Sequence, residues 1–135
     1  MSSVKLPLDP DILYASGFTD LGAWGFQGKD ALISLENVPA GPGVYAFAIG
    51  NRVVYVGVAI GGLQRRLRCY ARPGNRKTAL RIRDEILKVV EHPVRVMCVQ
   101  PSDMEWEGLP VNSAAGLELG LIQKYDLPWN RRHAG

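Results

Sequence analysis

The stretch GPGVYAFAIGNRVVYVGVA, Gly41 to Ala59, holds two strand-like runs, Val44–Ile49 and Val53–Val58, around Gly50-Asn51. That dipeptide between runs of apolar residues is a strong hairpin signal. Each run carries a tyrosine near a glycine, as Gly43-Val44-Tyr45 and as Tyr55-Val56-Gly57. Turn parity decides what the two rings can do together. A two-residue turn pairs Ile49 with Arg52, sets Tyr45 opposite Val56 and sends the tyrosines to opposite faces. A three-residue loop, Gly50-Asn51-Arg52, pairs Ile49 with Val53 and puts both rings on one face. Local turn chemistry favours the first register and a shared site requires the second; the second is the expectation taken here.

Downstream, Gly61-Gly62 precedes a short helix from Leu63 to about Ala71, whose inner face collects Leu63, Leu67 and Tyr70. Arg66 belongs to that same face, whereas Arg65 and Arg68 point away. An inward arginine needs a partner or water for its charge. The basic loop ARPGNRK ends at Thr78, a plausible N-cap, and the next helix buries Ala79, Ile82, Ile86, Val89 and Val90 before His92-Pro93 stops it. Val94–Val99 alternates as a third strand, and QPSDMEWEGLPVN reads as a long loop with Trp106 as a lid or a local anchor. The last helix starts at Asn112 or Ser113 and runs to Tyr125. Glu118 sits there at the edge of the apolar face, where a carboxylate wants either an ion-pair partner, such as Arg66, or a cation. Residues 1–40 are weakly patterned, with a short helix near Asp11–Ala15, a strand at ALISL, and Phe18, Trp24 and Phe26 as core or lid aromatics.

A chain of 135 residues, 47% hydrophobic and 21% charged, reads as one soluble globular domain. No charge-free run is long enough to span a bilayer as a regular helix, and the N-terminus lacks an apolar signal core, so a cytoplasmic location is expected. Cys69 and Cys98 match no zinc spacing and only His92 and His133 accompany them; the thiols are expected to be reduced. The net charge of +3 hides an asymmetry. Residues 52–95 carry eleven Lys/Arg against three carboxylates, a net +8, with arginine outnumbering lysine nine to two. That block is either a solvated helical surface or a face for a polyanion, for which arginine's planar fork is suited.

Taken in order, Tyr45, Tyr55, Arg66, Tyr70, Glu118 and Asn130 are the unusual polar positions, and their motifs resemble those of the GIY-YIG nucleases. The name-giving motifs match Gly43-Val44-Tyr45 and Tyr55-Val56-Gly57. The helical arginine motif matches LQRRLRCY, with Arg66 and Tyr70; the metal-binding glutamate matches Glu118 in GLELGLIQKY; the terminal asparagine matches Asn130 in LPWN. The resemblance covers roughly residues 41–132, and its strength lies in the order and spacing of the motifs together. Val44 and Val56 stand in place of isoleucines, and Val58 stands where many members carry a lysine or another polar residue. Residues 1–40 fall outside it as an N-terminal extension packed on the core.

The resemblance implies an α+β fold with a three-stranded antiparallel sheet flanked by helices, and divalent-metal-dependent hydrolysis of a nucleic-acid phosphodiester. On it, Glu118 holds one Mg²⁺ or Mn²⁺ and Arg66 donates two hydrogen bonds to the scissile phosphate. Tyr45 positions or deprotonates the attacking water, Tyr55 and Tyr70 orient these groups, and Asn130 braces the site. Which tyrosine acts as base stays open. Arg65, Arg68, Arg72, Arg76, Lys77 and Arg81 are the expected nucleic-acid contacts, with DNA favoured over RNA and nicking as the economical outcome for a single domain. A homodimer or a larger complex is compatible with this. The rival is a binding module of the same fold without cleavage; the complete Tyr, Tyr, Arg, Glu and Asn set speaks against it. A small-molecule phosphate enzyme finds no phosphate-loop motif to support it.

Overall fold

The central hairpin forms as β5 (Gly43–Ile49) and β6 (Arg52–Ala59), and β7 (Val94–Val99) pairs antiparallel with the other side of β5. The structure is a computed structural model that describes residues 4–27, 31–33, 35–89 and 91–131. Val90, expected on a helix, and His133 lie outside these residues. The sheet has four strands, not the expected three, in the order β2-β7-β5-β6. The added strand is β2 (Thr19–Ala23), which pairs with β7 from Thr19↔Cys98 to Ala23↔Arg95. Its sequence, TDLGA, conceals it. Gly22 sits at φ 92°, a register shift falls between Asp20 and Gly22, and no residue of the strand is fully buried. Pairing, reinforced by the Arg95–Asp20 ion pair at 2.6 Å, holds it where hydrophobic alternation does not.

Helices cover both faces of the sheet. On one side lie α2 (Leu63–Ala71) and α3 (Lys77–Lys88), which bury Leu63, Leu67, Tyr70, Ala79, Ile82 and Ile86 against Tyr45, Phe47, Tyr55, Val94 and Val96. On the other lie α1 (Pro10–Ala15) and α4 (Ser113–Lys124), whose Leu13 and Ala114 pack with Val44, Ala46, Val53, Val56 and Met97. The alternation along β5 explains this double layer: Val44, Ala46 and Ala48 face one side, Tyr45 and Phe47 the other. The segment before residue 41 is woven into both layers through Leu8, Leu13, Phe18, Trp24 and Val38.

Asp9 caps α1 by accepting a hydrogen bond from the Asp11 amide, and Asn112 caps α4 through the Ala115 amide. The expected cap at Thr78 is displaced, since α3 begins at Lys77 after Arg76. The segment read as a long loop contains a small hairpin, β8 (Met104–Trp106) and β9 (Leu109–Val111). Its two-residue turn takes positive φ at both Glu107 and Gly108, and Trp106 stands exposed beside it. In addition β3 (Gly25–Gln27) pairs antiparallel with β4 (Ala31–Ile33), and β1 (Leu6–Pro7) lies parallel to β10 (Tyr125–Asp126). No helix among the described residues is long and apolar enough to cross a membrane.

Candidate active site

The hairpin resolves the parity question by a third route. Its turn is the two-residue one, since Ile49 pairs with Arg52 and Ala48 with Val53. The register then shifts, so that Phe47 pairs with Tyr55 and Tyr45 with Gly57. Val54 is the extra residue of a β-bulge, and it lies in the same core layer as Tyr55. The expected loop Gly50-Asn51-Arg52 is therefore corrected, while its consequence stands: both tyrosines face α2. A bulge keeps the favoured turn and changes the face of everything beyond it.

Behind the bulge the aromatic rings form one buried cluster. Phe47 is its hub, with ring centroids 5.7 Å from Tyr45, 5.6 Å from Tyr55, 5.3 Å from Tyr70 and 5.8 Å from Trp24. Tyr45 and Tyr70 are hydrogen-bonded through their hydroxyls, and the Tyr70 hydroxyl donates a long 3.5 Å bond to Tyr55. The glycines of the two motifs have a steric cause. A Cβ at Gly57 would lie 2.4 Å from Cζ and the hydroxyl oxygen of Tyr45, and one at Gly43 would lie 2.6 Å from the backbone carbonyl oxygen of Val99 and 2.8 Å from Leu63 Cδ1. Gly57 leaves room for its cross-strand tyrosine, and Gly43 leaves room for the Val99 carbonyl of β7 and for Leu63 at the start of α2.

Arg66 projects from α2 and donates a 3.2 Å hydrogen bond from Nε to the Tyr45 hydroxyl, with its guanidinium carbon 5.8 Å from the Tyr70 ring centre. Asn130 takes the place of a strand residue on the outer edge of β6: its Oδ1 accepts from Val56 N–H and its Nδ2 donates to Val56 O, both at 2.9 Å. One residue earlier the Trp129 amide donates to Val54 O at 2.8 Å. Glu118 comes from α4 on the opposite face and lies near Val58 at the same edge, close enough for that backbone N–H to favour its charged form. The structure thus brings Tyr45, Tyr55, Arg66 and Tyr70 into one hydrogen-bonded group, with Glu118 close enough to feel the Arg66 charge and Asn130 on the adjacent backbone.

The electrostatics follow from that packing. Burial, then the neighbouring Tyr55 oxygen, push the Tyr45 phenol above its ordinary pKa against the opposing pull of Arg66 and Tyr70. Burial and the Tyr45 and Tyr55 oxygens push Tyr70 up as well. For Arg66, burial works to lower the pKa, and the oxygens of Tyr45, Tyr70 and Tyr55 outweigh it, so the guanidinium stays charged. Glu118 is raised by burial, with the Val58 N–H and Arg66 pulling the other way. It forms no ion pair with Arg66; the pairs among the described residues are Arg52–Asp126, Lys88–Glu85 and Arg95–Asp20. No group of three or more His, Cys, Asp and Glu side chains converges among the described residues.

Of the expected outer cations, Arg65, Arg68, Arg72, Arg76 and Lys77 are exposed. Arg81 differs. It is partly buried, and its Nη1 donates 2.8 Å to the Trp129 carbonyl. Its helical position matches that of its exposed neighbours and does not reveal a carbonyl 48 residues away.

Similarity to solved structures bears on what kind of fold carries this arrangement. A mutant of bacteriophage T4 EndoII superimposes with a TM-score of 0.68 at 21% identity, covering 92% of this chain and 99% of that one. The restriction endonuclease HPY188I, in complex with product DNA, gives 0.54 at 17% identity, covering 90% and 88%. The chain shares the fold of these two proteins. No family model matches the sequence, and no curated protein does. At these identities the nuclease likeness rests on the path of the backbone, and the chemistry rests on the side chains described above.

Proposed function

We propose that this chain is a GIY-YIG-type endonuclease that nicks DNA with one bound Mg²⁺ or Mn²⁺. The observation that carries the reading is the hydrogen-bonded group of Arg66, Tyr45, Tyr70 and Tyr55, with Glu118 near enough to feel the Arg66 charge yet not ion-paired to it. A structural ion pair would have closed that gap. Nucleases of this fold offer the chemical context, and the DNA bound to HPY188I favours DNA as the polymer.

The donor set fits a hard divalent cation. Glu118 is a half-buried carboxylate whose charge burial disfavours, and it has no cationic side chain within ion-pair distance. A single carboxylate suits magnesium, which keeps most of its waters. When bound, the ion would supply Lewis-acid stabilisation of charge on phosphate and leaving oxygen. Arg66, charged and held by Nε, has its two terminal nitrogens for a bidentate hold on a phosphate. Tyr45, fully buried and kept protonated, acts by fixing that arginine for the phosphate. Tyr70 and Tyr55 hold Tyr45, and Asn130 keeps β6 in register. The exposed arginines of α2 and the loop after it track the backbone phosphates.

Glu118→Gln tests the assignment. Mg²⁺-dependent nicking across a panel of duplex, flap, junction and single-stranded DNA should be lost, with affinity for the same DNA retained. Cleavage at the wild-type rate refutes the metal role. Binding without cleavage by the wild-type protein, in either Mg²⁺ or Mn²⁺, favours the binding-module reading instead.

A further inference from the structure

The residues after α4 form a strap that straddles the edge of β6. Leu127 is buried in the layer of α1 and α4, whereas Trp129, two residues on, is buried in the layer of α2 and α3. Between and beyond them the strap is bonded to the strand. Trp129 N–H donates to Val54 O, and Asn130 pairs with both polar groups of Val56. Val54 is the bulge residue and Val56 lies between Tyr55 and Gly57. The strap therefore grips the strand at the two points that set the direction of Tyr55 and the room for Tyr45.

Arg81 is the group that ties this strap down from the other side. Its guanidinium reaches from α3 to the carbonyl of Trp129, the residue immediately before Asn130. With its amide bonded to Val54 and its carbonyl to Arg81, the Trp129 backbone is fixed at both of its polar groups. The bond is charge-assisted and joins elements far apart in sequence.

We infer that Arg81 is a positioning residue for the nuclease site, acting through Trp129 and Asn130 on Val56, and is not one of the phosphate-tracking cations. This rests on the proposed function for its catalytic half only. The structural half concerns the Val56 amide and stands apart from any activity.

Amide hydrogen exchange and cleavage kinetics on Arg81→Ala and Arg81→Lys, with Arg76→Ala for comparison, test both halves. In Arg81→Ala, exchange at Val56 and Trp129 should rise about tenfold, the worth of one charge-assisted hydrogen bond, while the β5–β7 amides stay protected. Cleavage at saturating DNA should fall about tenfold, with DNA affinity and its salt dependence within twofold of wild type. Arg81→Lys should restore part of both losses, since an ammonium can donate to the same carbonyl. Arg76→Ala should instead weaken binding and reduce its salt slope by about one. Unchanged Val56 exchange overturns the inference outright. A salt slope reduced in Arg81→Ala makes Arg81 a phosphate contact and overturns it as well. Faster Val56 exchange with full cleavage overturns the catalytic half. If the wild-type protein cleaves no DNA, the nuclease reading and the catalytic half fail together, and the exchange result still decides the strap.

Discussion

Replacing Gly57 with alanine probes the contact on which the site geometry depends. The new Cβ would sit 2.4 Å from Cζ and the hydroxyl oxygen of Tyr45, and 2.9 Å from Cε2, where ordinary contact begins at 3.4 Å. The ring must therefore withdraw by about 1 Å, and it is fully buried among Phe47, Tyr55 and Tyr70. Overpacking of this kind costs about 1–3 kcal/mol. Withdrawal also loosens the hydrogen bonds to Arg66 and Tyr70, each worth about 1 kcal/mol. A loss of about 2–4 kcal/mol should appear in urea unfolding as a lower midpoint at unchanged slope. For a chain of this size that corresponds to a Tm drop on the order of 10 °C. The decisive arm is a double-mutant cycle with Tyr45→Ala, which removes the obstacle. In that background Gly57→Ala should cost about 0.5 kcal/mol or less, because alanine in a strand is favoured over glycine. An equal cost in both backgrounds would show that the tyrosine ring is not what requires glycine here.

Glu118→Gln should also change the pH dependence of stability. The folded-state pKa of Glu118 is raised, mainly by burial, so the folded protein binds more protons than the unfolded chain between the two pKa values and loses stability as pH rises through that window. Thermal melts should thus find the Gln variant more stable than wild type at neutral pH, with the difference gone below the ordinary carboxylate pKa; a difference independent of pH contradicts the assignment. Tyr45→Phe removes the hydroxyl that receives Arg66 Nε and joins Tyr70, and should cost about 1–3 kcal/mol in urea unfolding while halting cleavage. Replacing Arg76 and Lys77 together should lower the slope of log affinity against log salt by about two without changing cleavage at saturating DNA, as read from fluorescence anisotropy and gel assays.

Much of the architecture was legible because periodicity and burial agree in it. The α2 helix runs from Leu63 to Ala71 and β7 from Val94 to Val99 as expected, since their apolar residues recur with one clear period. Arg66 could be singled out because Leu63 and Tyr70 on its own face are both buried. Two features were illegible for physical reasons. The bulge leaves no mark in VVYV, where every residue is apolar and either face would bury it. β2 joins the sheet through backbone pairing with β7, and a short strand interrupted by a glycine carries little side-chain signal of that. Arg81 and Arg76 look alike on a basic helix start, and only the path of the strap tells them apart.

The site stands at a sheet edge, and the edge is the reason it can be built there. An outer strand exposes a row of unpaired backbone groups, which folded proteins cover, bend or charge. Along β6 that row is answered piecemeal: Val53 N–H by Leu8 O, Val54 O by Trp129 N–H, and Val56 by the Asn130 amide. A fifth strand would satisfy the same groups and would also occupy the space level with Arg66. Side chains satisfy them with less bulk. At Val56 a carboxamide alone closes the edge, pairing with both polar groups of the strand residue. The cost of the arrangement is that edge closure and site assembly share the same bonds. Substitutions that loosen the strap should therefore abolish activity at concentrations of urea well below those that unfold the β5–β7 pair.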